Sequence, residues 1–446
     1  MVCFLSGACG WRSRSPQFPC MSQHASSVRQ HAGVILSQAG LDELKRRLAS
    51  KTTALPPRVP GASLTDAHVV EKRWNVLPAS SENKAVIYDQ DTAQKHEAFA
   101  RNIENFVGTV KVPVGVAGPL RVNGLFAQGD FYVPLATTEA ALVASYARGA
   151  LVISEAGGCS VILSAEAVSR SPGFAFRNLV EAAEFSTWVA TQMEAFKTAT
   201  ETTTSHGRLL DCRITLEANH VYLIFDFFTG DASGQNMVTI ATQAICDYIA
   251  ERAPVKPEYS FVEANLSGDK KASAQSFLTV RGKKVTAEVI VPAALVSKRL
   301  HTTTEKMVNY WRMSALGSVM SGTIGVQGHY ANGLAALFLA CGQDVACVAE
   351  AAVGVTRFEQ HPNGDLYACV TLPNLIVGTV GGGTGLPSQA ACLDILGLRG
   401  ADKARAFAEV AGALVLAGEI SIIGALSAQQ FTKAHQRLAR GRERHA

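Results

Sequence analysis

The chain has no C-x-x-C pair, no H-E-x-x-H and no other regular metal-ligand spacing among its ten cysteines and eleven histidines. A zinc site therefore has no basis in the sequence, and no metal is expected. There is no signal-peptide pattern either, so the cysteines read as reduced thiols rather than a disulfide framework. Charged residues are only 17% of the chain and the net charge is +4, with the basic excess near the ends and no basic patch laced with aromatics. No nucleic-acid partner is expected. Acidic residues are absent before Asp42; that Ser- and Arg-rich leader reads either as a transit peptide or as an extension ahead of Met21, without stable fold. Met313 to Gln343 contains no Asp, Glu, Lys or Arg, but Gln327, His329 and Asn332 interrupt it. That run and the shorter one from Ile420 to Thr432 are expected to be buried core helices, not membrane spans.

What is present is a long, apolar chain. Its 446 residues, 48% hydrophobic, allow two or three domains with a substantial core. The pattern reads as a flexible leader and arm over residues 1–60, closed by the breaker "ALPPRVPGAS", and an N-terminal helical region over 61–103. A large domain follows, built from 104–177 plus 264–446. It is interrupted by a small domain at 178–263. From Ser160 to Asn265 the order is strand, helix, hairpin, helix, strand, a β-α-β-β-α-β unit of ferredoxin-like kind. The fold class expected is α+β: a large mixed domain round a central helix, the ferredoxin-like domain inserted into it, and a short helical N-terminal region. "ATTEAALVASYARGALVISEAGG" reads as one helix ended by Gly157 and Gly158, with Glu139 in its first turn.

One stretch is glycine-dense: "GTVGGGTGLPSQAA", from Gly378 to Ala391. Its spacing fits neither G-x-G-x-x-G nor G-x-x-x-x-G-K-[ST]. By itself it is either a phosphate cradle at a helix start, with Ser388 as the helix cap, or a tight turn before a close-packed helix.

Five further stretches occur with it in a fixed order: "ENFVGTVKVPVGVAGPL", "PLATTEAALVAS", "GDASGQNM", "SGDKKA" and "CGQD". Together the six resemble 3-hydroxy-3-methylglutaryl-coenzyme A reductases over about three quarters of the chain. The triple-glycine loop is closer to the class shared by eukaryotes and archaea. The resemblance implies reduction of HMG-CoA to mevalonate and free CoA by two hydrides from NADPH, with NADH possible as the alternative donor. Glu139, Lys270, Asp344 and His435 match the family's catalytic positions. Lys270 would stabilise the thioester oxygen, His435 would protonate the departing thiolate, and Asp344 would lie close enough to Glu139 to raise its pKa. Cofactor contacts fall on Ser205, Asp231, Ala232, Gly234, Asn236, Met237, Gly381, Gly382 and Gly383. Substrate contacts fall on Glu104, Arg177, Lys271 and Asn332. The same resemblance implies that the large domain binds substrate and the small one the cofactor. Two departures stand out: Ser233 and Gln235 replace the methionines of D-A-M-G-M-N, and Ser205-His206 stands where the family has Ser-Arg.

The resemblance also implies a homodimer, or a dimer of dimers, with active sites shared between subunits. It implies a cytoplasmic protein with no membrane partner, unless the leader routes it to an organelle. Two other readings stay open: mevalonate oxidation with NAD and CoA, and a non-catalytic acyl-CoA or nucleotide-binding protein of the same fold.

Overall fold

The computed structural model describes residues 41–429, and the chain divides into two compact units after Val59. In the first, helix α1 (Leu41–Leu48) is short. Its Glu43 accepts hydrogen bonds from Arg46 and Arg47, one turn on, and they hold its carboxyl below the usual range.

The second unit begins with three short helices, α2 (Ala67–Trp74), α3 (Ser81–Ile87) and α4 (Gln90–Gln94). Each starts on a side-chain cap: Asp66, Ser80 and Asp89 accept the amides of Val69, Asn83 and Thr92. They close over a small core of Val70, Trp74 and Phe106. Arg73 is fully buried without a carboxylate, its guanidinium donating to the carbonyls of Pro60, Gly61, Ala62, Leu64 and Phe106.

Strands β1 (Val114–Gly124) and β2 (Gln128–Ala136) form an antiparallel pair, and helix α5 (Leu142–Glu155) follows. Strand β3 (Cys159–Arg170) is long enough to serve two sheet regions. Its start lies parallel to β1, its middle pairs with β8 (Gly282–Val291), and Val168 to Arg170 pair with β6. Then come β4 (Gly173–Ala175), α6 (Leu179–Val189), α7 (Met193–Glu201), β5 (Arg208–Glu217), β6 (His220–Phe228), α8 (Gln235–Arg252) and β7 (Tyr259–Phe261). The first helix of the strand, helix, hairpin, helix, strand order is broken at Ala190–Gln192 into α6 and α7. In space the strands run β7-β4-β6-β5, all antiparallel.

The remaining elements are α9 (Ala293–Leu300), α10 (Thr304–Ser321), β9 (Gly325–Val326), α11 (Tyr330–Ala340), α12 (Val348–Ala351), β10 (Gly354–Gln360), β11 (Leu366–Leu375), α13 (Pro387–Leu396) and α14 (Ala404–Ser427). The sheet is mixed: β9 runs parallel to β10, while β8, β10 and β11 pair antiparallel. The architecture is thus a mixed α+β fold round one buried helix. Twenty residues of α14 are buried, and each large apolar side chain among them contributes roughly 1.5–3 kcal/mol. Among the described residues it is the one helix apolar and long enough to cross a bilayer, but its surroundings are protein. Small residues let α5 approach it: a Cβ on Gly149 would stand 1.8 Å from the Ala417 carbonyl oxygen.

Two expectations need correction. The helix read from Ala136 begins only at Leu142, because Ala141 takes φ +72° in the left-handed region. Glu139 therefore lies in the preceding loop and not in a first helical turn. The uncharged run after Arg312 is not all core either: Met313, Leu316, Val319 and Met320 on α10 are exposed. Hydrophobicity there marks a face that no other described residue covers.

Candidate active site

The sheet register brings three chain segments to one end. Ala167 pairs with Gly282 and Lys283 with Leu375, so the end of β3, the start of β8 and the end of β11 are neighbours. Arg170 closes β3, the loop carrying Lys270 precedes β8, and the glycine-dense loop follows β11.

The Lys270 loop rests on buried ion pairs. Arg281 donates to Asp269 Oδ1 at 2.7 Å and to Glu350 Oε1 at 2.5 Å. Arg170 reaches Asp269 Oδ2 at 2.9 Å and Glu263 at 3.3 Å. Both guanidiniums are more than nine-tenths buried, and removing one partner of such a pair leaves an uncompensated charge. Lys270 itself adopts φ +55°, and its amide donates to Glu350. Its ammonium meets Asp344 Oδ2 at 2.7 Å. That hydrogen bond to a carboxylate raises the lysine above its ordinary value, so the charged form is favoured.

Asp344 is reached from the other side. Gln343 brackets Gly378, donating to its carbonyl and accepting its amide, both at 2.9 Å. "CGQD" is thereby stitched to the glycine-dense loop. The loop is stitched in turn to "GDASGQNM", since Thr379 N donates to Asp231 O at 2.8 Å. A side chain on Gly378 would strike the backbone of Asp231 to Ser233. The three motifs enclose a cavity of about 530 Å³, lined by Ala232 to Met237, Gln343, Asp344 and Gly381 to Thr384.

The lining of this cavity has the character of a phosphate-binding surface. Gly381 and Gly382 have positive φ, and a Cβ on either would meet nothing within 4 Å, so the loop's open side is backbone alone. Among the described residues the amides of Gly381, Gly382 and Gly383 have no acceptor. Helix α8 begins at the wall with Gly234 as its cap, presenting unpaired N–H groups and the positive dipole end. Met237, in its first turn, touches Thr204, whose hydroxyl orders the amides of His206 and Gly207 beside Ser205.

Glu139 and Asn332 form a second cluster. Asn332 Nδ2 donates to Glu139 Oε2 at 3.3 Å across a cavity of about 360 Å³, which Arg148, His329 and Leu426 also line. Its floor is fixed by the fully buried Glu419, which accepts the amides of Gly328 and His329 and the Thr356 hydroxyl. Tyr146 stacks on His329 with centroids 5.2 Å apart. Among the described residues no bond joins Glu139 to Lys270 or Asp344.

Several expected residues sit elsewhere. The Asp231 carboxylate faces away from the cavity and accepts the amides of Asp402 and Ala404, anchoring the start of α14. Arg177 is exposed and paired with Glu181 one turn on, while Arg170 holds the Lys270 loop. Ser388 does not cap α13: Leu386 occupies the cap and Pro387 the first turn. Lys271 is exposed, its ammonium on the Asp269 carbonyl, and Glu104 is exposed beside the Asn105 bend. His435 lies outside the described residues. Arg170, Arg281 and Glu350 were missed. Their only signal was a charge beside an apolar strand or helix, which tells of burial only once a partner is known.

Comparison with known proteins agrees over most of the chain. Residues 69–440 match the family model for hydroxymethylglutaryl-coenzyme A reductase. Similar relatives are the 3-hydroxy-3-methylglutaryl-coenzyme A reductases of Pyrococcus horikoshii and Methanothermobacter thermautotrophicus. The first is 44% identical over 353 residues, spanning 77% of this chain and 85% of the relative. The second is 44% identical over 346 residues, spanning 77% and 86%. Among solved structures, the class II 3-hydroxy-3-methylglutaryl-CoA reductase of Streptococcus pneumoniae, bound to NADPH in open conformations, superposes with a TM-score of 0.61. At 18% identity over 80% of this chain and 96% of that one, it is a likeness of fold.

Proposed function

We propose a division of labour among these residues from the premise that the chain belongs to the hydroxymethylglutaryl-coenzyme A reductase family. It reduces 3-hydroxy-3-methylglutaryl-CoA to mevalonate and free CoA, a four-electron reduction consuming two NAD(P)H. When bound, each NAD(P)H would supply one of the two hydrides, so a second cofactor molecule is needed for the second reduction. The observation that carries the assignment is the Lys270–Asp344 pair at 2.7 Å, set on the wall of the cavity between the glycine loop and the start of α8.

Lys270 presents a cation, kept protonated by Asp344, to the thioester oxygen as negative charge grows. Arg281, Arg170 and Glu350 keep the loop backbone in place under it. Glu139, steadied by Asn332, hands over the proton that the reduced carbonyl requires. His435 serves the departing thiolate. The pyrophosphate lies on the amides of Gly381 to Gly383 and of the first turn of α8. Ser205 takes the adenosine end, and Arg208, exposed with its guanidinium over Phe228, supplies charge for the phosphate that separates NADPH from NADH.

The same proposal covers organisation. The β7-β4-β6-β5 order supports a ferredoxin-like cofactor domain inserted between the two parts of the large one, at 178–263 with strand β4 (Gly173–Ala175) added at its start, and 61–103 is a helical region before it. The Lys270 and Glu139 clusters are unlinked within one chain, and α10 exposes an apolar face. Both support a homodimer in which Lys270 of one copy meets Glu139 of the other. We place the reaction in the cytoplasm.

The test is to follow the absorbance of NADPH and of NADH separately with the thioester present. Two NADPH should be consumed per thioester, and Lys270→Ala should lower kcat by about 100-fold or more with an unchanged fold. No turnover with either cofactor, while the thioester still binds, would sink the enzyme reading.

A further inference from the structure

Among the described residues, the helical region ahead of the large domain touches the cofactor cavity through a single side chain. Asn102 Nδ2 donates to the carbonyl oxygen of Gly382 at 2.8 Å, and Asn102 is itself part of the cavity wall. We propose that Asn102 is a positioning residue for the nicotinamide cofactor, a clamp by which the N-terminal helices fix the glycine loop in its binding conformation. The proposal rests on the cofactor reading above.

The clamp is rigid on its own side. Asn105 takes φ +52° and its amide donates to Ala62 O at 2.7 Å. Arg73 holds the Phe106 carbonyl at 2.7 Å, and Trp74 Nε1 holds that of Val107 at 3.0 Å. Phe99 and Phe106 stack with ring centroids 4.8 Å apart, so both ends of the Asn102 bend are packed. On the other side lies the glycine run Gly381 to Gly383. Three consecutive glycines lose more conformational freedom on ordering than any other residues, and the amides of Gly381 to Gly383 have no acceptor among the described residues to order them. A planar trans peptide points its C=O and N–H in opposite directions. Holding the Gly382 carbonyl therefore also fixes the direction of the Gly383 amide, one of the donors assigned to the pyrophosphate.

The experiment uses the full chain carrying Asn102→Ala or Asn102→Asp, the latter keeping shape while replacing the donor. Nicotinamide fluorescence titration should show NADPH binding weakened about three- to ten-fold in both, the worth of one lost hydrogen bond. Asn102→Gln, which retains the donor, should recover part of it, and KM for the thioester and Tm should stay unchanged. Hydrogen exchange at Thr384, whose amide donates to Gly381 O, should quicken in the ligand-free variants. Unchanged exchange, or thioester affinity falling as much as NADPH affinity, would overturn the clamp. If the unaltered chain binds no NADPH, the cofactor reading fails instead, and the exchange measurement alone then decides whether Asn102 orders the loop.

Discussion

Helices α14 and α10 both carry long uncharged, apolar runs, and the structure treats them in opposite ways. Along α14 twenty residues are buried, including the carboxylates Glu409 and Glu419. Along α10 only Thr304, Met307 and Val308 are buried, and Met313, Leu316, Val319 and Met320 face outward. Apolar composition therefore did not decide burial; position in the sheet order did. An exposed apolar face of that kind has the character of an interaction surface.

The largest expected effect lies on α14. Glu419→Ala would strand two amides and a hydroxyl in the core and cost roughly 3–5 kcal/mol, the range for removing one partner from a buried charged network. Chemical denaturation should show it as a fall in midpoint, and a loss under 1 kcal/mol would mean that Glu419 is not the keystone described. On α10, Val319→Asp with Met320→Asp should leave stability within about 0.5 kcal/mol, as for exposed positions, yet lower the mass found by light scattering and the activity together. A dimer that survives this change would refute α10 as the interface.

The smallest effect contrasts two carboxylates. Glu419 is fully buried, whereas Asp344 and Lys270 are each about two-fifths exposed, so their pairing adds under about 1 kcal/mol to stability. Asp344 raises the lysine's pKa. The stabilisation is thus complete below the ordinary lysine value and lost as pH climbs through the raised one. Asp344→Asn should move the alkaline limb of the pH–rate profile to lower pH with little change in Tm. An unmoved limb would show that the pair does not set that limb.

Much of the site was legible in order along the chain. The motifs around Lys270, Asp344 and Gly381 to Gly383 are contiguous stretches whose residue types announce their chemistry, and the structure gathers them at one sheet end. Asp231 misled because a carboxylate in a phosphate-type turn also serves as a helix anchor, and the amides it holds lie some 170 residues away. The resemblance pointed to Arg177, and Arg170 carried no signal of its own to set it apart. Both are arginines at the edge of apolar sequence, and only the pairing of β3 with β6 and β8 shows which one meets Asp269.

The sequence by itself determined the family, the reaction and the α+β class, since these depend on local residue types and on a periodicity each segment carries alone. Tertiary structure decided which apolar helix is core and which is surface. It also decided which charges are paired in the interior, that the Glu139 and Lys270 clusters stay apart within one chain, and that Asn102 reaches across 280 positions to Gly382. Those are contacts between distant segments. Their energies depend on what stands opposite each side chain, and no segment records that about itself.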